Sequence, residues 1–559
     1  MNTQVQGAMT QNFFDISRSI AERFIQTVVA VDDKITFGEV RNKSAEGSFE
    51  LIVPPLDESG IGEVQQDQAI QLANLKTNDE NELNYQELSE CFAEKSILCT
   101  ALKTFSGANS EEKTIVATFN LSKKADITIL DWQMEDNSDN YGKIAKGSVS
   151  KLIEYDVSCN GRLRLVLIYT SADIALVMNE LLEELNQYHP ERENETSIIF
   201  PSEDLKLCKI LVINKTENIQ QLVDTSIQEF AEMTCGLLSN ATLAAITEIR
   251  DKTHHYLYKF NKKLDTAYLS HILSLITSED MRESSHDVAF DYAVDLISEE
   301  IKSNLQISKI IKESLSRECL KKWPHHINPD NQAIHSFNVS ERPTFSCDNE
   351  RMEKFLTVID EDELIDVLDE LPKYPGGINK FKGQFIQFQL SSPSEAAHLE
   401  LSAIECLRRD ILNLNEVIPV LKQGTIIKKD ETYFVCIQPI CDSVRLTCAT
   451  SFLFLKTADI GGTQFSHVVR KDRNQYEKVK FKPVSKEVCL MKFIPDNKMI
   501  RAKREHGKFV FESTNSEKFE WCGEFKQAIT QEIVNAVSGS ISRVGFDSFE
   551  WLRLRKPKL

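Results

Sequence analysis

Four short apolar runs in this chain each end on a residue suited to handling a phosphoryl group: Val28-Val29-Ala30-Val31-Asp32-Asp33, Ile127-Thr128-Ile129-Leu130-Asp131, Val166-Leu167-Ile168-Tyr169-Thr170 and Ile210-Leu211-Val212-Ile213-Asn214-Lys215. A carboxylate is a weak nucleophile towards phosphorus unless a metal ion and fixed cations screen the repulsion between them. Asp131 is the candidate nucleophile. Mg2+ prefers oxygen ligands and keeps several waters, so Asp32, Asp33, Asp131 and the backbone carbonyl of Gln133 form a plausible partial shell. Lys215 supplies a point charge for one phosphoryl oxygen, and Thr170 a hydroxyl for another. Ser171-Ala172 offers a second hydroxyl at the same place, and Thr170 is preferred because it ends the apolar run directly.

These residues can meet only if the runs are neighbouring parallel strands. Short β-branched runs without polar alternation suit strands buried on both faces, and ligands of such sheets bind outside the carboxyl ends of the strands. Helical spacing at Tyr85–Lys95, Ser110–Lys124, Gly147–Tyr155 and Ala172–Asn186 alternates with strands at Phe24–Val31, Ser96–Phe105, Asp126–Leu130, Leu163–Tyr169 and Leu207–Asn214. The reading is an α/β domain with a doubly wound, five-stranded parallel sheet over residues 20–225, after a tail at 1–19. A Gly-, Pro-, Ser- and Asn-rich insertion, with a small hairpin near Phe49–Val53, occupies about 34–84. Residues 226–322 read as a helical domain suited to a dimerising stalk, 323–378 as a linker with an acidic segment, and 379–559 as a β-rich module closed by a helix.

The strand-end residues resemble those of bacterial two-component receiver domains, which have a flavodoxin-like fold. There an acidic pair ends strand one, the phosphoacceptor aspartate strand three, a hydroxyl strand four and a lysine strand five. The resemblance covers roughly residues 20–225. It implies Mg2+ as cofactor, a sensor histidine kinase as phosphodonor, Asp131 as acceptor, and Thr170 and Lys215 as phosphoryl contacts. Two departures stand out: the long insertion after Asp33, and Thr216 where most receivers place a proline after the lysine. Divergence of this kind, with no visible effector, resembles the phosphate-buffer component of Detocs-type anti-phage two-component systems. That likeness implies a stoichiometric phosphoacceptor rather than an enzyme, which drains phosphate from a kinase and so acts indirectly on a second response regulator. The alternative is a response regulator whose C-terminal module is an unrecognised output.

Composition narrows the other classes. The 559 residues carry a net charge of −20, and 37 acidic against 20 basic residues fall within 1–225, which disfavours nucleic-acid binding by that part. Neither a secretory leader nor a membrane-length apolar run is evident, so a cytoplasmic location is expected. The 13 cysteines lack zinc-ligand spacing and read as small buried hydrophobes in a reducing compartment. No Walker-type glycine loop occurs, and the acids after the first strand, Asp32-Asp33, are adjacent rather than in the spaced Asp-x-Asp of haloacid dehalogenase-like phosphatases. His254-His255 read as helix surface, Cys436 and Cys441 as structural, Gly461-Gly462-Thr463 as a turn, and Arg543, Arg553, Arg555 and Lys556 as solvated charge.

Overall fold

The structure is a computed structural model that describes residues 12–35, 83–135, 141–216, 218–279, 281–282, 285–332, 334–339, 345–369, 386–389, 395–413, 418–462 and 465–541. The hairpin expected near Phe49–Val53, most of the 34–84 insertion and the basic tail lie outside them. The chain divides into two compact units: Met1–Lys259 with Ser298–Asn331 and Asn349–Leu364, and Phe260–Ile297 with Gln332–Asp348 and Ile365–Leu559.

The first unit is built on strands β1 (Thr27–Asp32), β2 (Leu98–Lys103), β3 (Ile127–Asp131), β4 (Arg164–Thr170), β5 (Glu191–Arg192), β6 (Ser197–Ile199) and β7 (Cys208–Asn214). Their order is β2-β1-β3-β4-β7-β6-β5. The β2, β1, β3, β4 and β7 strands pair in parallel, while β6 and β5 add antiparallel at the β7 edge. The sheet therefore has seven strands where the sequence suggested five. The two extra strands are a short hairpin of two and three residues, too brief and polar to show a strand period. Lys209 on β7 ties the hairpin down through Glu193 at 2.8 Å.

Successive residues of each strand enter opposite cores, as the pleat requires. Val28, Ala30, Ile127, Ile129, Leu165 and Leu167 pack on one side, and Val29, Val31, Leu130, Val166, Ile168, Ile210 and Val212 on the other. Helices α1 (Phe13–Phe24), α2 (Tyr85–Glu94) and α6 (Ile219–Thr234) cover the first side with Phe24, Phe92 and Phe230. Helices α3 (Ser110–Ser122), α4 (Lys143–Ser158) and α5 (Ile174–Glu184) cover the second with Ile115, Val149 and Met178. Both faces being covered explains why these strands are continuous apolar runs. Helix α1 occupies part of the span expected to be a tail, and Asn12 and Asp15 close its N-terminus with a capping box.

Helices α7 (Leu237–Asp251) and α8 (Thr253–Lys259) continue from α6. The expected linker contains ordered elements, including helices at Trp323–Ile327 and Asn349–Thr357 and strands β8 (His335–Val339) and β9 (Phe345–Cys347). The second unit has an antiparallel sheet whose central strands are Thr425–Lys429, Thr432–Cys436, Thr450–Ile460 and Lys518–Phe525. Strand β10 (His467–Asp472) lies at one edge, and Gln527–Ile541 is the expected final helix. Among the described residues no helix is long and apolar enough to cross a membrane. Among the described residues no disulfide joins the 13 cysteines; Cys436 is buried and Cys441 exposed.

Candidate functional site

The parallel register brings the acids together. Val31 pairs with Leu130, so Asp32 and Asp131 leave adjacent strands side by side at the carboxyl edge. Carboxylate oxygens of Asp32, Asp33 and Asp131 lie within 4.8 Å of one another. Asp32 and Asp131 are only 1% and 2% exposed, and Asp33 is half-buried. Lys215 Nζ donates to Asp131 Oδ2 at 2.8 Å and stands 3.8 Å from Asp32 Oδ2.

Backbone donors fix one oxygen of Asp32 and one of Asp131. The Lys34 N–H donates to Asp32 Oδ1 at 2.6 Å, and the Gln133 N–H to Asp131 Oδ1 at 3.1 Å. Asp32 Oδ2 and Asp33 Oδ1 are buried without a hydrogen-bond partner. Burial, and next the charge of Asp131, push the Asp32 carboxyl up to about 7 despite the pull of Lys215. Asp33 is raised by the same two causes in the same order. Crowded carboxylates with orphaned oxygens are an unfavourable arrangement in the absence of a cation, and a hard divalent ion such as Mg2+ fits this oxygen-only donor set.

The loop after Asp131 is stapled from within. The Glu135 carboxylate, raised by burial, accepts the N–H groups of Ile144 at 2.6 Å and Gly142 at 3.1 Å, where α4 begins. Gly142 has φ +85°, and a Cβ there would fall 2.2 Å from the Trp132 ring. The loop is thereby held where Gln133 follows Asp131 closely.

Of the residues singled out in the sequence, Asp32, Asp33, Asp131 and Lys215 form one cluster. Thr170 ends β4 fully buried, one residue beyond Tyr169, which pairs with Asp131. Its hydroxyl accepts the Ala172 N–H at 2.9 Å, and its carbonyl accepts the Lys215 N–H at 2.8 Å. The rival hydroxyl, Ser171, is exposed. Gln133 contributes its N–H to Asp131, and its carbonyl belongs to the same loop. His254 is exposed on α8, as expected of helix surface. Two contributors escaped the sequence reading. Glu135 carries no motif, whereas Tyr169 had a faint signal, an aromatic immediately before the strand-end hydroxyl.

Residues 24–219 match the family model described as the response receiver domain. The chain carries a receiver domain. That match runs from the last residue of α1 to the first of α6 and so contains every member of the cluster. A receiver domain points to a phosphoacceptor role in two-component signalling and to a histidine kinase as partner. No curated protein and no solved structure matches the chain.

Proposed function

We propose that Asp131 is the phosphoacceptor of a phosphorelay and that the chain serves as a phosphate sink, as in the buffer component of Detocs-type phage defence. The observation carrying the first part is the buried, under-compensated cluster of Asp32, Asp33 and Asp131 beside Lys215, inside the span matched by the receiver model. In the transfer, an Asp131 oxygen attacks the phosphorus of a kinase phosphohistidine, the P–N bond breaks, and the aspartyl O–P bond forms. Asp32 and Asp33, with Asp131 and the Gln133 carbonyl, would hold Mg2+, which screens carboxylate charge from phosphoryl charge. Lys215 exchanges Asp131 Oδ2 for a phosphoryl oxygen, and Thr170 offers a hydroxyl to another. Water then attacks the phosphorus, releasing inorganic phosphate and restoring the carboxylate.

The sink reading rests on what accompanies the receiver: helices and an antiparallel β module in which sequence reasoning finds no nuclease, nucleotidase or DNA-reading motif. On this reading the protein is a stoichiometric acceptor that dephosphorylates itself, works in the cytoplasm and acts on a second regulator only by depleting the kinase. Acetyl phosphate tests it. A sink releases inorganic phosphate steadily in Mg2+ with little phosphoprotein at any time, whereas accumulation of long-lived phosphoprotein would favour a response regulator with an output in its C-terminal module.

A further inference from the structure

Lys215 sits where the chain leaves the sheet. A lysine has a long, flexible four-carbon stem, so its reach is useful only if its backbone is fixed. The Lys215 N–H is held by the Thr170 carbonyl. The following peptide groups are held by one side chain: the Tyr169 hydroxyl donates to the Thr216 carbonyl at 2.7 Å and accepts the Thr216 N–H at 2.8 Å. The Tyr169 ring is 3% exposed and belongs to the same core cluster as Leu211, Ile219 and Leu222, from the elements on either side of this loop. Lys215 Nζ lies 5.8 Å from its centroid. Tyr169 also pairs with Asp131 across the ladder, so one residue touches the acceptor strand through its backbone and the lysine loop through its side chain.

We infer that Tyr169 is a positioning residue whose hydroxyl, by clamping both backbone groups of Thr216, keeps Lys215 over Asp131 for phosphoryl uptake. The inference rests on the phosphoacceptor reading above. The sequence adds a reason for the clamp. Residue 216 is a threonine whose N–H is used, and a proline there would have neither that N–H nor the same need for it.

Tyr169→Phe removes one oxygen and leaves the packed ring, so fold and positioning can be separated. Uptake from acetyl phosphate with saturating Mg2+ is compared in the wild type, Tyr169→Phe, Lys215→Ala and the double variant, with Asp131→Asn as control. Misplacing a reacting group by a fraction of an ångström costs on the order of tenfold in rate, and that is the loss expected for Tyr169→Phe. The double variant should be no slower than Lys215→Ala, because a clamp has nothing to position once the amine is gone. Unchanged uptake in Tyr169→Phe, or losses that multiply in the double variant, would overturn the inference.

A second readout is independent of phosphate. Acetic anhydride at limiting concentration, followed by peptide mass mapping, should acetylate Lys215 several-fold faster in Tyr169→Phe than in the wild type. Equal acetylation overturns the clamp even if the wild type never takes up phosphate. Absence of wild-type uptake, by contrast, rejects the phosphoacceptor reading alone.

Discussion

Strand β4 carries an ionic problem at one end and its mirror image near the other. At its start, Arg164 is fully buried with Asp156 of α4, also fully buried. Two guanidinium nitrogens meet the two carboxylate oxygens at 2.6 and 2.9 Å, and further N–H groups reach the carbonyls of Ser122 and Lys123. At the other end, beside Tyr169 and Thr170, three carboxylates crowd next to Lys215 and two of their oxygens have no hydrogen-bond partner. Charge sealed into complete pairing is structure; charge buried and left incomplete marks the place where something else must bind. His467 in the other unit shows a third solution. Burial holds its imidazole neutral, down to about 4, while Nδ1 sits 2.8 Å from Ser466 Oγ and the ring packs 5.0 Å from Phe525.

The contrast can be broken most forcefully at the paired end. Asp156→Ala leaves a buried guanidinium without its counter-charge and should destabilise the receiver by about 3–5 kcal/mol. Amide hydrogen exchange of β4 measures this, and a loss under about 1 kcal/mol would mean that the pair is not sealed as described.

The neutral solution is sharpened by pH. His467 has a folded value below its unfolded one, so the unfolded chain binds more protons between them. Stability of the second unit should therefore be full above pH 6.5 and fall as pH drops towards 4, by up to about 3 kcal/mol. Exchange of the β10 amides in the wild type, against His467→Gln with the slope reduced, reads it out.

At the incomplete end the sign reverses. Asp32 is raised in the folded state, so the metal-free protein binds more protons than the unfolded chain between the ordinary carboxylate value and pH 7, and loses stability as pH rises through that range. Asp32→Asn should make the metal-free receiver more stable at pH 8, by about 2 kcal/mol, while abolishing its stabilisation by Mg2+. Mg2+ affinity of the wild type should weaken below pH 7, where a proton competes for Asp32. Calorimetric titration at pH 6 and pH 8 compares the two, and equal affinities would remove Asp32 from the shell.

Much of the receiver was legible because its strands are buried on both faces and so form unbroken apolar runs whose last residues stand at one rim. Asp32, Asp33, Asp131 and Lys215 were all read from that rule. The β5–β6 hairpin was not, since Glu191-Arg192 and Ser197–Ile199 pair only because the β7 edge and Lys209 hold them. Helix α1 had a usable signal in the capping pair Asn12 and Asp15 and in the spacing of Phe13, Ser17, Ile20 and Phe24. Tyr169 reads as strand because it belongs to the apolar run of β4; nothing in the local sequence shows that its hydroxyl crosses 47 residues to Thr216.

We propose that Asp131 takes the phosphoryl group with the help of its neighbours' charges. The most direct test is mass mapping after incubation with acetyl phosphate and Mg2+. One phosphoryl group should appear on the peptide containing Asp131, vanish on adding EDTA before the phosphodonor, and be absent from Asp131→Asn. A group mapped elsewhere, or retained in that variant, would contradict the account.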